Sequence, residues 1–209
     1  LGYVAVDGFG SLPNGWIALH HCGIAQVRLP GDTENGSALV SEAVQRGFTP
    51  IVQISLKKDP PSHEALRALF NAGQGRIVRL DVSAAEADVK RTASFVQAVR
   101  ALAPATELTL EVQSAEGAQA VLDALMSMNA AYQLPAPLSL LVADDKISLI
   151  PAFRRQLYRN GLEGAKVYCV ISRPFTPTLS PVFKALAQGA SGCVVPTSWL
   201  YENTLNLGF

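Results

Sequence analysis

The sequence predicts an α/β fold, a single (β/α)8 TIM barrel with short loops and a short or missing final helix, formed by residues 1–209 as one domain. Three observations support this prediction. Strand-like runs begin near Tyr3, Ile24, Pro50, Arg76, Glu107, Leu138, Lys166 and Gly192, nearly evenly spaced, with helical patterns in the gaps. Alternating strand and helix is the signature of βαβ units and a parallel sheet, and eight units favour closure over an open sheet. Length and a 49% hydrophobic content suit one large core, which fits a single barrel better than two small domains.

The elements follow in order. YVAVD ends at Asp7 and passes into Gly8-Phe9-Gly10. A short helix over Trp16–His21 leads through Gly23 to IAQVRL, where Gln26 and Arg28 alternate with Val27 and Leu29. A helix from about Ser37 to Arg46 is closed by Gly47. In PIVQISLK, Gln53, Ser55 and Lys57 share one face, and Ser62 caps the next helix. The fourth strand, RIVRLDVS, sets Arg79, Asp81 and Ser83 against Val78, Leu80 and Val82. The longest helix follows it, over about Ala84–Ala103, stopped by Pro104. ELTLEVQ alternates Thr109, Glu111 and Gln113 with Leu108, Leu110 and Val112, then a helix covers about Gly117–Met128. The sixth strand, LSLLVAD, is apolar until Asp144-Asp145-Lys146. KVYCVIS runs into Arg173-Pro174-Phe175, a helix spans Leu179–Gln188, and GCVVP precedes Thr197, Ser198 and Trp199.

A barrel must be apolar against its helices, so the polar set should face the lumen. Active sites of such barrels lie at the C-terminal strand ends. The residues projected there are Asp7, Arg28, Lys57, Arg79, Asp81, Glu111, Asp144 or Asp145, Arg173 and Trp199. Their signs are mixed, so a paired network is expected, because an unpaired ion in a lumen costs several kcal/mol. Arg79, Gln53 and Gln26 should lie deepest, and Arg28 should pair with Asp7 or Asp81. Asp144-Asp145 with Glu111 would offer oxygens to a divalent cation, although a solvated loop pair is the plainer reading, so no metal is expected.

Other functions are disfavoured. Seventeen Lys+Arg balance seventeen Asp+Glu without a basic block, which argues against nucleic acid as partner. No apolar run approaches the roughly 20 residues of a membrane span. No GxGxxG follows the first strand, no GxSxG exists, and no cofactor is expected. Cys22, Cys169 and Cys193 lack metal spacing and read as buried thiols. A chain starting at Leu1 is expected to be processed or excised. A signal peptide removed before it would favour a secreted or periplasmic protein.

HHCGIAQVRLPGD and ALVSEAVQRGFTPIVQISL resemble the second-strand and third-strand segments of the retaining glycoside hydrolase clan of (β/α)8 barrels. Trp199 sits about where that clan places a sugar-stacking tryptophan, and Arg28 matches its second-strand arginine. The resemblance implies a carbohydrate partner. The clan's Asn-Glu acid/base site reads Asp81-Val82-Ser83 here, and its strand-seven nucleophile reads Ile171-Ser172-Arg173. Retaining hydrolysis needs two carboxyl groups about 5–5.5 Å apart. The expectation is therefore a barrel without retaining activity, binding a carbohydrate through Asp7, Arg28, Lys57, Arg173 and Trp199 or serving as an assembly domain. The first alternative is a hydrolase using Asp81 or Glu111 with Asp144, Glu111 being the general acid. ALAQGASGCVVPTS also resembles the seventh helix and eighth strand of phosphate-binding barrels, which implies a lyase or isomerase gripping an anion with Arg173, Thr197 and Ser198. There Pro196 replaces the glycine amide such a site wants.

Overall fold

The computed structural model describes residues 3–7, 15–21, 23–57, 59–128, 138–172 and 180–196. Among them, eight parallel strands pair in chain order and close on themselves. They are β1 (Tyr3–Asp7), β2 (Gln26–Pro30), β3 (Thr49–Ser55), β4 (Arg79–Ser83), β5 (Glu107–Glu111), β6 (Leu138–Ala143), β7 (Val167–Val170) and β8 (Gly192–Pro196). The seam sets Tyr3 opposite Gly192 and Asp7 opposite Pro196. Between the strands run α1 (Gly15–His21), α2 (Gly36–Gln45), α3 (His63–Gly73), α4 (Val89–Leu102), α5 (Ala115–Met128), α6 (Ile150–Arg159) and α7 (Ser180–Ala187). The TIM-barrel expectation holds. The closing segment after β8 lies outside the described residues.

The period-two pattern builds two cores. Outward residues such as Val27, Leu29, Val52, Ile54, Leu80, Val82, Leu108 and Leu110 pack under helix residues including Val40, Leu66, Leu69, Phe95 and Leu122. Each such side chain contributes about 1.5–3 kcal/mol on burial, so this layer supplies most of the driving force. Among the described residues, Ile51 and Val194 form a small second cluster inside the lumen, with Val170 against them. Leu141, in register with Tyr168, is also buried. The buried polar side chains among the inward-facing strand residues include Arg28, Arg79, Asp81, Thr109 and Ser139.

Local signals set the helix ends. Gly47 sits at φ +86 after α2, in the left-handed region that glycine enters at low cost. Ser62 caps α3 by accepting from the Ala65 N–H at 3.2 Å. Three expectations need correction. The helix expected from Ala84 starts at Val89, because Asp88 caps it by accepting from the Arg91 N–H at 2.9 Å. Residues 84–87 form a turn instead, closed by an Ala87 N–H to Ala84 carbonyl bond of 3.1 Å. β4 begins at Arg79, and Val78 before it is exposed. A 3-10 turn (Asp144–Leu149) and α6 occupy the stretch after β6, where no helix is picked out from the sequence. Pro151 at its start and the buried Phe153 and Leu157 on one face are the signals for it.

Candidate functional site

The lower lumen holds a closed charge network. Asp81, in the middle of β4, has no exposed surface. Arg79 Nε lies 2.7 Å from Asp81 Oδ1, and Arg28 Nε lies 2.8 Å from Asp81 Oδ2. Arg79 Nη2 also donates to Oδ2 at 3.2 Å. β2 and β4 are alternate strands, whose inward residues share a layer of a barrel, so Arg28 meets Asp81 across the lumen. The expected pairing of Arg28 is thus with Asp81. Asp7 is in register with Arg28 on the neighbouring strand. The Arg79 guanidinium stacks 4.0 Å from the Tyr168 ring. The Tyr168 hydroxyl lies 3.2 Å from Glu107 Oε2, Ser139 donates to Glu107 Oε1 at 2.6 Å, and Lys166 Nζ stands 3.6 Å from Glu107 Oε2. Burial pushes the Tyr168 hydroxyl above its usual pKa, and Glu107 adds to this against the pull of Arg79 and Lys166. Burial opposes the Lys166 ammonium, yet Glu107 and Tyr168 outweigh it and its pKa rises.

The upper rim differs over β3–β5. A cavity of about 630 Å³ lies over the C-terminal ends of three adjacent strands. β3 and the residues just after it contribute Gln53, Ser55 and Lys57. β4 and its turn contribute Ser83, Ala84, Glu86 and Ala87, and β5 contributes Glu111 and Gln113. Among the described residues no aromatic ring lines it. Glu111 is half-buried, and its Oε1 accepts from the Gln113 amide at 3.0 Å. The Ser55 N–H donates to Asp32 at 3.0 Å, and Arg91 donates to the Leu56 carbonyl at 3.2 Å, so the loop carrying Lys57 is held from both sides. Ala84 has φ +59, a conformation that costs a non-glycine residue about 1–3 kcal/mol and that tends to collect at functional sites.

The sequence-derived residues therefore separate. Lys57 and Glu111 come together at the cavity, with Gln53, which was expected to lie deep. Asp81 and Arg28 do not reach it. A carboxylate with both oxygens held by guanidiniums and no exposed surface is badly placed to serve as a catalyst. Asp144 lies beyond β6, where the Ser172 hydroxyl donates to it at 2.9 Å, and Asp145 pairs with Lys146 at 3.6 Å. Neither lines the cavity. Among the described residues no group of three His, Cys, Asp or Glu is arranged to hold a metal ion. Arg173, Thr197, Ser198, Trp199, Phe9 and Cys22 lie outside the described residues. Cys169 and Cys193, in register on β7 and β8, are buried free thiols. Burial pushes Cys193 up to about 11 and, with Cys193, Asp144 and Asp145 beside it, Cys169 up to about 12. Sequence reasoning missed Glu86, because residues 84–87 were expected to be helical. Asp88 immediately before the apolar period at Val89 is the helix-start signal that would have freed Glu86 for the rim.

No family model and no curated protein matches the sequence. Solved structures match the fold. The barrel is similar to dihydrodipicolinate synthase from Rhodopseudomonas palustris, with a TM-score of 0.58 and 11% identity, covering 99% of this chain and 77% of that one. It is similar to an HpcH/HpaI aldolase from Desulfitobacterium hafniense DCB-2, with a TM-score of 0.59, 10% identity and coverage of 99% and 91%. It is also similar to orotidine 5'-monophosphate decarboxylase from Sulfolobus solfataricus, with a TM-score of 0.58, 10% identity and coverage of 97% and 95%. At such identities the likeness is one of fold. The resemblance to retaining glycoside hydrolases is corrected accordingly: these solved barrels are a dihydrodipicolinate synthase, an aldolase and a decarboxylase, and none of them is a glycoside hydrolase. The segment from Ile24 to Leu56 that carried it is the strand–helix–strand grammar common to (β/α)8 barrels. A carbohydrate partner and a degenerate glycosidase lose their support with it. No helix among the described residues is long and apolar enough to cross a membrane.

Proposed function

We propose that this barrel is a lyase of aldolase type, acting on a small hydroxylated carbonyl acid at the rim of β3–β5. The observation that carries the reading is the cavity of about 630 Å³ that Lys57 and Glu111 both line. Its size is in the range that admits a small molecule. Solved barrels of similar fold, an aldolase and a decarboxylase among them, favour the same class over a glycosidase.

The chemistry assigned to these residues is simple. Glu111 takes the proton of a substrate hydroxyl as the adjacent carbon–carbon bond breaks, and that carbon becomes a carbonyl. The released electron pair passes to the neighbouring carbonyl as an enolate, and the proton on Glu111 returns to the enolate carbon. The Lys57 ammonium supplies positive charge to the oxygen that gains it, or to the substrate carboxylate. Gln53, Ser55 and Ser83 bring hydrogen-bonding groups to orient the substrate.

The test is a panel of 4-hydroxy-2-oxo acids and 3-hydroxy acids, with carbonyl products detected by chromatography and binding by calorimetry. Turnover that falls at least 100-fold in Glu111→Gln supports the assignment. Turnover unaffected by both Glu111→Gln and Lys57→Met, or no turnover and no binding across the panel, overturns it.

A further inference from the structure

Among the described residues of the cavity wall, Glu86 is a charged side chain that reaches across from one strand–helix unit to the next. It stands on the turn after β4, yet its Oε1 accepts from two backbone N–H groups beyond β5, Gln113 at 2.7 Å and Ser114 at 3.2 Å. Those groups lead directly into α5, where backbone donors have no partner within the helix and a carboxylate is favoured by the helix dipole. Ser114 continues the cap by accepting from the Gly117 N–H at 2.9 Å. Gly117 completes the arrangement: a Cβ there would overlap the Glu86 carboxylate. The missing side chain leaves the space in which Glu86 sits.

The turn that presents Glu86 is itself fixed. Ala84 holds φ +59, and Ala85 is fully buried, its carbonyl accepting from the buried Thr92 hydroxyl at 2.8 Å. An unfavourable backbone conformation persists only where its surroundings over-determine it. On the far side, the Gln113 whose N–H is held by Glu86 donates its side-chain amide to Glu111 Oε1. A chain of contacts thus runs from the β4 turn through Glu86 and Gln113 to the carboxylate proposed to handle the proton.

The geometry points to Glu86 as a positioning residue. It fixes the start of α5, and through Gln113 it sets the orientation of the Glu111 carboxylate, without itself exchanging a proton with substrate. The catalytic side of this inference rests on the lyase reading of the cavity, but the structural link does not. Gly117 belongs to the same device, because any larger residue there displaces Glu86.

Three variants test it: Glu86→Ala, Glu86→Gln and Gly117→Ala. The readouts are amide hydrogen exchange at Gln113 and Ser114, the carboxyl ¹³C shift of Glu111, and steady-state kinetics on whichever panel substrate turns over. In Glu86→Ala the two amides lose protection, the Glu111 signal moves, and kcat falls by about 100-fold with KM little changed, as a misplaced reacting group demands. Glu86→Gln keeps an acceptor oxygen for the same two N–H groups and restores most of the protection and rate. Gly117→Ala, a change that favours a helix, reproduces Glu86→Ala. If the amides and the Glu111 signal are unchanged in Glu86→Ala, the inference is overturned whatever the activity. If they change while wild type turns over no panel substrate, the positioning role stands and the lyase reading fails. Should Glu86→Ala not fold, Gly117→Ala and Glu86→Gln decide, and equal behaviour of those two also overturns the inference.

Discussion

Asp81 and Glu111 are carboxylates at inward-facing positions of adjacent strands, yet their surroundings differ in every respect. Asp81 has no exposed surface and binds a guanidinium on each oxygen. Glu111, higher in the barrel, is half-buried at the cavity, and its Oε1 accepts from the neutral Gln113 amide. The difference lies in what each charge has left to give. In the lower lumen Arg28 and Arg79 are held by Asp81 and Lys166 by Glu107, so the network fixes how the barrel packs. At the rim the polar groups keep capacity for a ligand. Charge alone, read along a strand, does not separate the two; depth along the barrel does.

The largest effect comes from breaking the lower network at its centre. Asp81→Ala leaves the Arg28 and Arg79 guanidiniums buried side by side without the anion between them. A buried pair broken from one side costs about 3–5 kcal/mol. Urea unfolding should show a loss of that order. Arg28→Met should cost less, about 1.5–3 kcal/mol, because Arg79 still holds Asp81. An Asp81→Ala protein as stable as wild type would remove the distinction between the two regions.

At the rim the prediction reverses. Glu111→Gln should lower turnover by about 100-fold or more while changing stability by less than about 1 kcal/mol, since the amide still accepts from Gln113 and the position is partly solvated. Measuring both quantities on one protein sharpens the comparison. A stability loss near that of Asp81→Ala would make Glu111 another member of the packed network.

Much of this was legible beforehand for a physical reason. Strand alternation and regular unit spacing are local properties, so the eight strands, the inward face of Arg79, Asp81 and Ser83, and a lumen carboxylate partner for Arg28, either Asp7 or Asp81, could all be reasoned from the sequence. The depth of each inward residue depends on how neighbouring strands are staggered, which no single strand encodes. Asp81 was therefore grouped with Glu111, and Gln53 was expected deep although it lines the cavity. Glu86 was hidden twice, once by a helix start misplaced from Val89 to Ala84 and once because its partners lie 27 and 28 residues away. The short segment from Ile24 to Leu56 looked like a family signature because all such barrels must solve the same strand–helix–strand packing problem.

The smallest predicted effect concerns the base of the lower network, and its sign depends on pH. Tyr168→Phe removes a hydroxyl from Glu107, which keeps Ser139 and Lys166, so the cost at pH 7 should be about 1 kcal/mol. In the folded protein burial and Glu107 raise the Tyr168 pKa above its ordinary 10.0. Lys166 is raised above 10.5 as well, Glu107 and Tyr168 overcoming the effect of burial. A group with a raised folded pKa contributes stability that is complete below its unfolded pKa and is lost as pH climbs through the folded value. The Tyr168 and Lys166 contributions to wild-type stability should therefore be lost progressively above about pH 10. Tyr168→Phe has no phenol to ionise beside Glu107 and should lose less, so the gap between the two proteins narrows as the solution becomes alkaline. Cys169 and Cys193, also raised, act equally in both proteins and cancel in the comparison. Urea midpoints of the two proteins from pH 7 to 12 supply the test. A gap that stays constant or widens with pH would mean that Tyr168 and Glu107 are not coupled, and that the charge network ends at Arg79.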